Sequence, residues 1–243
     1  MIEIDVLIEG KSFPQYSSSV ALVKETVSSE KQNYYLLDTG SFYDRSKLID
    51  AIENRNLKTK DIQYVILSHW HVDHIGNIDL FEDANIIITK DCIKNNIDLD
   101  TIINSLQSDN KVKEMAELLI TLFPDSGYSL AKFEAMANLS IRHKEQIHYI
   151  CEILKSKRVR IISDSHEEII RNVLSVYTFD YHTREDLVTK VRLNNKNAFF
   201  MGDVVLDSKD KMFFEKLNTR DLGITEKDLI IPGHGKPFYW SVF

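Results

Sequence analysis

Three histidines fall within six residues, in the run His69-Trp70-His71-Val72-Asp73-His74, with Gly76 just behind it. Imidazole and carboxylate groups at that density are the ligands of zinc, and also of manganese, iron or cobalt. The run follows the apolar stretch Val65-Ile66-Leu67, so it stands where a strand gives way to a loop. At a strand end positions 69 and 71 point the same way, because side chains alternate. The chain then turns, and Asp73 and His74 can aim at a neighbouring point. One short loop can therefore offer two imidazoles to one cation and a carboxylate plus an imidazole to a second. The competing explanation is a surface loop that merely happens to be rich in histidine. An affinity tag is excluded, because the cluster is internal and irregular.

A metal ion needs further ligands from elsewhere in the chain. His182, Asp203 and His234 each stand just past an apolar strand candidate: Val176-Tyr177-Thr178-Phe179, Phe199-Phe200-Met201-Gly202 and Ile230-Ile231-Pro232-Gly233. That repeated placement is what convergence on one sheet edge produces. Of the other histidines, His143 and His148 lie in helix-like sequence and His166 in the polar run Ser165-His166-Glu167-Glu168. All three read as solvated or half-buried side chains.

The elements that must position these residues are legible from periodicity. Runs rich in β-branched or aromatic residues predict strands at Ile4 to Ile8, Val20 to Val27, Tyr34 to Leu37, Asp61 to Ser68 and Asn85 to Thr89. The same pattern returns at Arg158 to Ile162, Val173 to Phe179, Leu187 to Leu193 and Ala198 to Met201, and a short helical stretch is expected before Leu229-Ile230-Ile231-Pro232. Leu48, Ile49 and Ile52 have helical spacing within Tyr43 to Asn56. From about Asp91 to Lys157 glycine appears once and proline once, while Leu, Ile, Met, Glu, Lys and Ala are frequent, which favours helix. Met115-Leu118-Leu119-Leu122 and Ile147-Ile150-Cys151-Leu154 form two apolar stripes there. Strands, then helices, then strands predict an α/β fold: two sheets covered by helices in one domain spanning 1–243, with a helical insertion at about 91–157.

The run His69-x-His71-x-Asp73-His74 resembles the signature of the metallo-β-lactamase superfamily. The resemblance extends over most of the chain, through Asp38-Thr39-Gly40, Gly202-Asp203 and Gly233-His234-Gly235 in the family's order, and only the helical middle falls outside it. It implies a four-layer αββα sandwich and a site for two divalent metal ions. Carried over by motif, His69, His71 and His182 are implied to hold one ion, and Asp73, His74 and His234 the other. Asp203 is implied to bridge them, and Asp38 to orient the ligand loop from behind. Zinc is the expected metal, with Mn2+ or Fe2+ as alternatives. One departure concerns His182: the family usually has glycine before the third histidine, and here Tyr181 stands there. His166 is the alternative for that ligand.

The implied activity is a metal-dependent hydrolase in which a metal-bridging hydroxide cleaves an ester, thioester or lactone bond in a small molecule, with Asp73 accepting a proton. The seven-ligand pattern is the one shared by glyoxalase II-like and lactonase-like members. The true β-lactamases of this fold carry Cys or Ser where Asp203 stands, so lactam hydrolysis is not expected. The alternative activity is that of a dinuclear phosphodiesterase or nuclease-like hydrolase, because two metals also suit attack at phosphorus.

Bulk properties narrow the partners. Hydrophobic residues make up 43% of the 243, enough for one buried core, and the formal net charge is −7. An acidic chain with scattered Lys and Arg does not predict nucleic acid or anionic lipid as a partner. Cys92 and Cys151 form no C-x-x-C pair and suit a reducing compartment. With no basic start followed by an apolar core, and no run long enough to span a bilayer, the expected location is the cytoplasm. The helical insertion is expected to act as a lid over the metal face or to pack within the chain or against a second subunit as a homodimer.

Overall fold

The computed structural model describes residues 1–12, 17–90, 110–122, 129–138, 141, 158–209 and 222–240. Two six-stranded mixed sheets stack face to face. The first runs in spatial order β1 (Ile2–Ile8), β2 (Val20–Thr26), β3 (Gln32–Leu37), β4 (Ile62–Ile66), β5 (Asn85–Thr89), β6 (Val159–Ile162). The second runs β12 (Phe238–Tyr239), β11 (Leu229–Pro232), β10 (Asn197–Gly202), β9 (Asp186–Arg192), β8 (Leu174–Phe179), β7 (His166–Ile170). The sandwich of two sheets with flanking helices expected from the sequence is the observed architecture.

The near-continuous apolar strands follow from burial on both faces. In β3, Tyr35 and Leu37 enter the core between the sheets while Leu36 faces outward into the core beneath helix α1 (Arg45–Glu53). β4 splits the same way, with Ile66 inside and Val65 outside, and in β10 Phe200 is inside and Phe199 outside. Helix α1 buries Leu48 and Ile52 against the outer face of the first sheet. Its entry is pinned by a two-pronged ion pair from Arg45 to Asp79, at 2.8 and 2.7 Å.

The helical middle connects β5 to β6, which pair in parallel, and a parallel pair requires a crossover. Its described parts are helix α2 (Lys111–Leu122) and helical residues 130–138. Met115 and Ala116 of α2 are buried with Phe133 and Ala137 in a small core of their own, flanked by Leu118 and Leu119. The stripe of Ile147, Ile150, Cys151 and Leu154, together with Cys92, His143 and His148, lies outside the described residues. So does most of the helical stretch expected before Leu229; residues 222–228 are coil and a turn. None of the helices among the described residues is long and apolar enough to cross a membrane.

Two strands were not expected from the sequence, β7 and β12. Both are sheet edges, where polar residues are normal and the apolar alternation fades. The inter-sheet core predicts a steep mutational contrast. Phe200→Ala, at a fully buried position facing the first sheet, should cost about 3–5 kcal/mol in denaturant unfolding. Tyr239→Ala, on an exposed edge, should stay within about 0.5 kcal/mol.

Candidate metal centre

Strand polarity brings the sequence-predicted residues to one end of the sandwich. β3 and β4 are parallel, so the loops carrying Asp38 and His69 to His74 leave the same edge. In the second sheet β8 and β10 are each antiparallel to β9, and β11 is parallel to β10. The ends of β8, β10 and β11 therefore share an edge, and they carry His182, Asp203 and His234. His69, His71, His182 and Asp203 form one group able to hold a cation, and Asp73, His74 and His234 a second; within each group the ligand atoms lie within 4.8 Å of one another. His166, the alternative third histidine, lies on β7 with its ring 4.5 Å from that of Tyr177 and is in neither group.

Asp203 stands between the groups. Its Oδ1 lies 3.1 Å from His74 Nε2 and 3.2 Å from His234 Nε2, and its Oδ2 3.5 Å from His182 Nε2 and 3.9 Å from His69 Nε2. On the second-group side Asp73 Oδ2 is 3.3 Å from His234 Nε2. The backbone must approach this carboxylate closely. A Cβ on Gly233 would stand 2.1 Å from Asp203 Oδ1, so only glycine fits there.

The far ends of the rings are held by the protein. Asp38 is fully buried and sits at φ +57°, a left-handed turn that Asp tolerates better than most residues. It accepts hydrogen bonds from Ser68 N (2.6 Å), Ser68 Oγ (2.7 Å) and His74 Nδ1 (2.6 Å). Ser68 has one hydroxyl proton. With that proton given to Asp38, its oxygen accepts from His69 Nδ1 at 3.1 Å. This donor count assigns Nδ1–H to both His69 and His74, so that in the neutral ring Nε2 of each is a lone pair facing the site. His234 Nδ1 donates to the carbonyls of Ser17 (3.1 Å) and Lys11 (3.3 Å). His69 Nε2, His74 Nε2 and Asp203 Oδ1 are buried and have no assigned hydrogen-bond partner among the described residues. His74 Nε2 and Asp203 Oδ1 face each other at 3.1 Å. Buried polar atoms are otherwise bonded, and an orphaned all-N/O cluster is what a divalent cation completes. The residues present fit the metal pair that the motif implies.

Charge inside the cluster is strongly coupled. Burial pushes the Asp203 carboxyl up, but His74 and His234 outweigh it and hold it well below the usual carboxylate range. Burial opposes a proton on His74, yet Asp203, Asp38 and Asp73 together hold its pKa well above the ordinary histidine value. His234 is raised in the same way by Asp203 and Asp73 against its own burial. His69 is held well below the usual value by burial and then by the neighbouring His74 and His71. Burial raises Asp38, with His74 and Ser68 offsetting part of the effect.

Three supports were missed in the sequence: Ser68, the Lys11 and Ser17 carbonyls, and Asp186. Asp186 receives hydrogen bonds from the backbone of residues 181–183. The only signal for Ser68 was its place between the strand and His69.

The fold and the ligand constellation define an αββα metal-binding sandwich, and comparison with known proteins agrees. A family model of the metallo-β-lactamase superfamily matches residues 15–89, the stretch containing Asp38 and His69 to His74. Metallo-beta-lactamase domain-containing protein 1 of Xenopus laevis is 31% identical over 98 residues, covering 38% of this chain and 40% of that protein. The match thus spans less than half the length of that relative. A protein of Thermotoga maritima assigned to the metallo-β-lactamases superposes with a TM-score of 0.60 at 16% identity, covering 98% of this chain and 99% of its own. A quorum-quenching N-acyl homoserine lactone hydrolase superposes with a TM-score of 0.54 at 13% identity, covering 90% of this chain and 79% of its own. The chain thus resembles the metallo-β-lactamase superfamily in sequence over residues 15–89 and shares its fold.

The raised pKa values of His74 and His234 carry a pH consequence. Their protons compete with a cation, and a raised pKa extends that competition toward neutral pH. Zinc affinity should therefore still be climbing as pH rises from 6 to 8, past the ordinary histidine range, with roughly one or two protons released on loading. Calorimetry in buffers of different ionisation enthalpy counts those protons. An affinity independent of pH across this window would contradict the charge assignment.

Proposed function

We propose that this chain is a dinuclear metal-dependent hydrolase acting on an ester, thioester or lactone bond of a small molecule. His69, His71 and His182 would hold one ion and Asp73, His74 and His234 the second, with Asp203 placed to serve both. The observation that carries this reading is the placement of Asp203, with one oxygen toward each group. Zinc suits the all-N/O donor set, as do Mn2+ and Fe2+. When bound, two divalent cations supply polarisation of a carbonyl and water acidic enough to attack it near neutral pH.

The chain's own residues do the rest. Asp203 stays ionised throughout, because His74 and His234 hold its carboxyl low. Asp73 is buried beside His234, with Oδ2 3.3 Å from His234 Nε2. From there its carboxylate would accept a proton from the attacking water and pass it to the departing oxygen or sulfur. His69 and His74 are fully buried, while His182 is exposed and His71 half-buried. Substrate therefore approaches on the His71–His182 side, with the buried rings behind the reacting bond. The lactone hydrolase that shares the fold supports a cyclic ester as a first substrate class to try.

Asp203→Ala tests the reading. The variant should lose both ions by elemental analysis, and turnover on the best ester, thioester or lactone should fall by roughly a thousandfold or more. Unchanged metal content with full turnover would sink it. Turnover of phosphodiesters alone in the same screen would replace the substrate class and leave the metal site standing.

A further inference from the structure

We propose that Asp186 is the positioning residue for His182, and that it replaces the glycine-shaped turn with a carboxylate-centred one. The proposal rests on the two-ion reading above. His182 is less firmly anchored than His69, His74 and His234, its side-chain hydrogen bond among the described residues being Nε2 with His71 Nδ1 at 3.0 Å. Its side chain is 30% exposed, and its Nδ1 has no hydrogen-bond partner among the described residues, whereas Nδ1 of His69, His74 and His234 is held. Its loop is fixed chiefly through the backbone. The amide N–H groups of Tyr181 (3.3 Å), His182 (2.7 Å) and Thr183 (2.9 and 3.0 Å to the two oxygens) all donate to the Asp186 carboxylate. The Thr183 hydroxyl adds a fourth donor at 2.5 Å. Asp186 itself is buried.

Three successive amides wrapped on one carboxylate define the shape of the loop without glycine. Among the described residues, positive φ outside glycine occurs only at Asp38, Asn56 and Asn172, so Tyr181 sits in an ordinary backbone conformation. The Tyr181 ring packs with the apolar cluster on the outer face of the second sheet.

Asp186 also stands at the right point to set distance. It opens β9, opposite Phe179 of β8. The next amide, Leu187 N, donates to Ser68 O at 2.7 Å, one residue before His69. Residues 186 and 187 therefore tie the His182 loop and the His69 loop to the same two backbone positions. That pair sets the separation between His182 and the other histidines of its group. Charge-assisted hydrogen bonds of this kind are stronger than neutral ones.

Asp186→Asn keeps the size and removes the match, because its amide N–H would face backbone N–H. The test compares zinc uptake by the whole chain and its variants against a chromophoric chelator, with thermal unfolding of each metal-free protein as the fold control. The wild type should take two ions. Asp186→Asn should keep one ion at wild-type affinity and bind the other about 10- to 100-fold more weakly, the range for outer partners of metal ligands. His182→Ala should show the same one-ion pattern. If Asp186→Asn does not fold, Thr183→Val carries the test, since it deletes a single bond from the loop; selective weakening of one ion supports the proposal. Two ions at wild-type affinity in a folded Asp186→Asn, or in Thr183→Val where that variant stands in, would overturn it and leave the two-ion reading intact. A wild type that takes fewer than two ions overturns the two-ion reading, and this proposal falls with it.

Discussion

A buried imidazole has two polar ends, and it can offer one to a ligand only if the protein satisfies the other. The centre depends on this constraint. Asp38 meets it for His74 directly and for His69 through the Ser68 hydroxyl. Backbone carbonyls of the N-terminal segment meet it for His234. Asp38 is itself a fully buried carboxyl, tolerable because it accepts three hydrogen bonds in turn. The left-handed turn at Asp38 delivers its side chain beneath the ligand loop. Asn77 then locks that turn by donating to the carbonyls of Thr39 and Ser41, both at 2.8 Å.

The sandwich supplies what no single loop could. Ligands come from two sheets, and their relative placement is set where the sheets are stitched near the site: Leu187 N to Ser68 O, and Ser19 N to Gly233 O, both 2.7 Å. A glycine at 202, with φ +51°, lets the turn before Asp203 lie against Ser68, where a Cβ would meet the serine side chain at 2.6 Å. Two backbones and a carboxylate thus occupy the space that one more methyl group would fill. Positions near the centre tolerate little change in volume even though they touch no apolar core.

The parts legible in the sequence were those with local signals. The His69 to His74 run announces itself because five of its features sit within eight residues. Strands such as Asn85–Thr89 and Leu229–Pro232 show as unbroken apolar runs because both their faces are buried. His182, Asp203 and His234 were found by their shared position after apolar strands. What was not legible is non-local. β7 is polar because it is an edge, so nothing in Ser165-His166-Glu167-Glu168 suggests pairing. The Lys11 and Ser17 carbonyls bear on His234 through backbone atoms that any residue would present. Tyr181 looked like a defect in the third motif because glycine was expected, and the compensating carboxylate lies four residues past the histidine, in what reads as an ordinary charged turn.

The most direct test of the account is a crystal structure of the zinc-loaded protein with anomalous data at the zinc edge. The account predicts two peaks. One should lie about 2.0–2.2 Å from nitrogens of His69, His71 and His182, and the other at similar distances from Asp73, His74 and His234, with one Asp203 oxygen on each. A single peak, or two ions with Asp203 turned away from either, would contradict the claim that this carboxylate organises the centre.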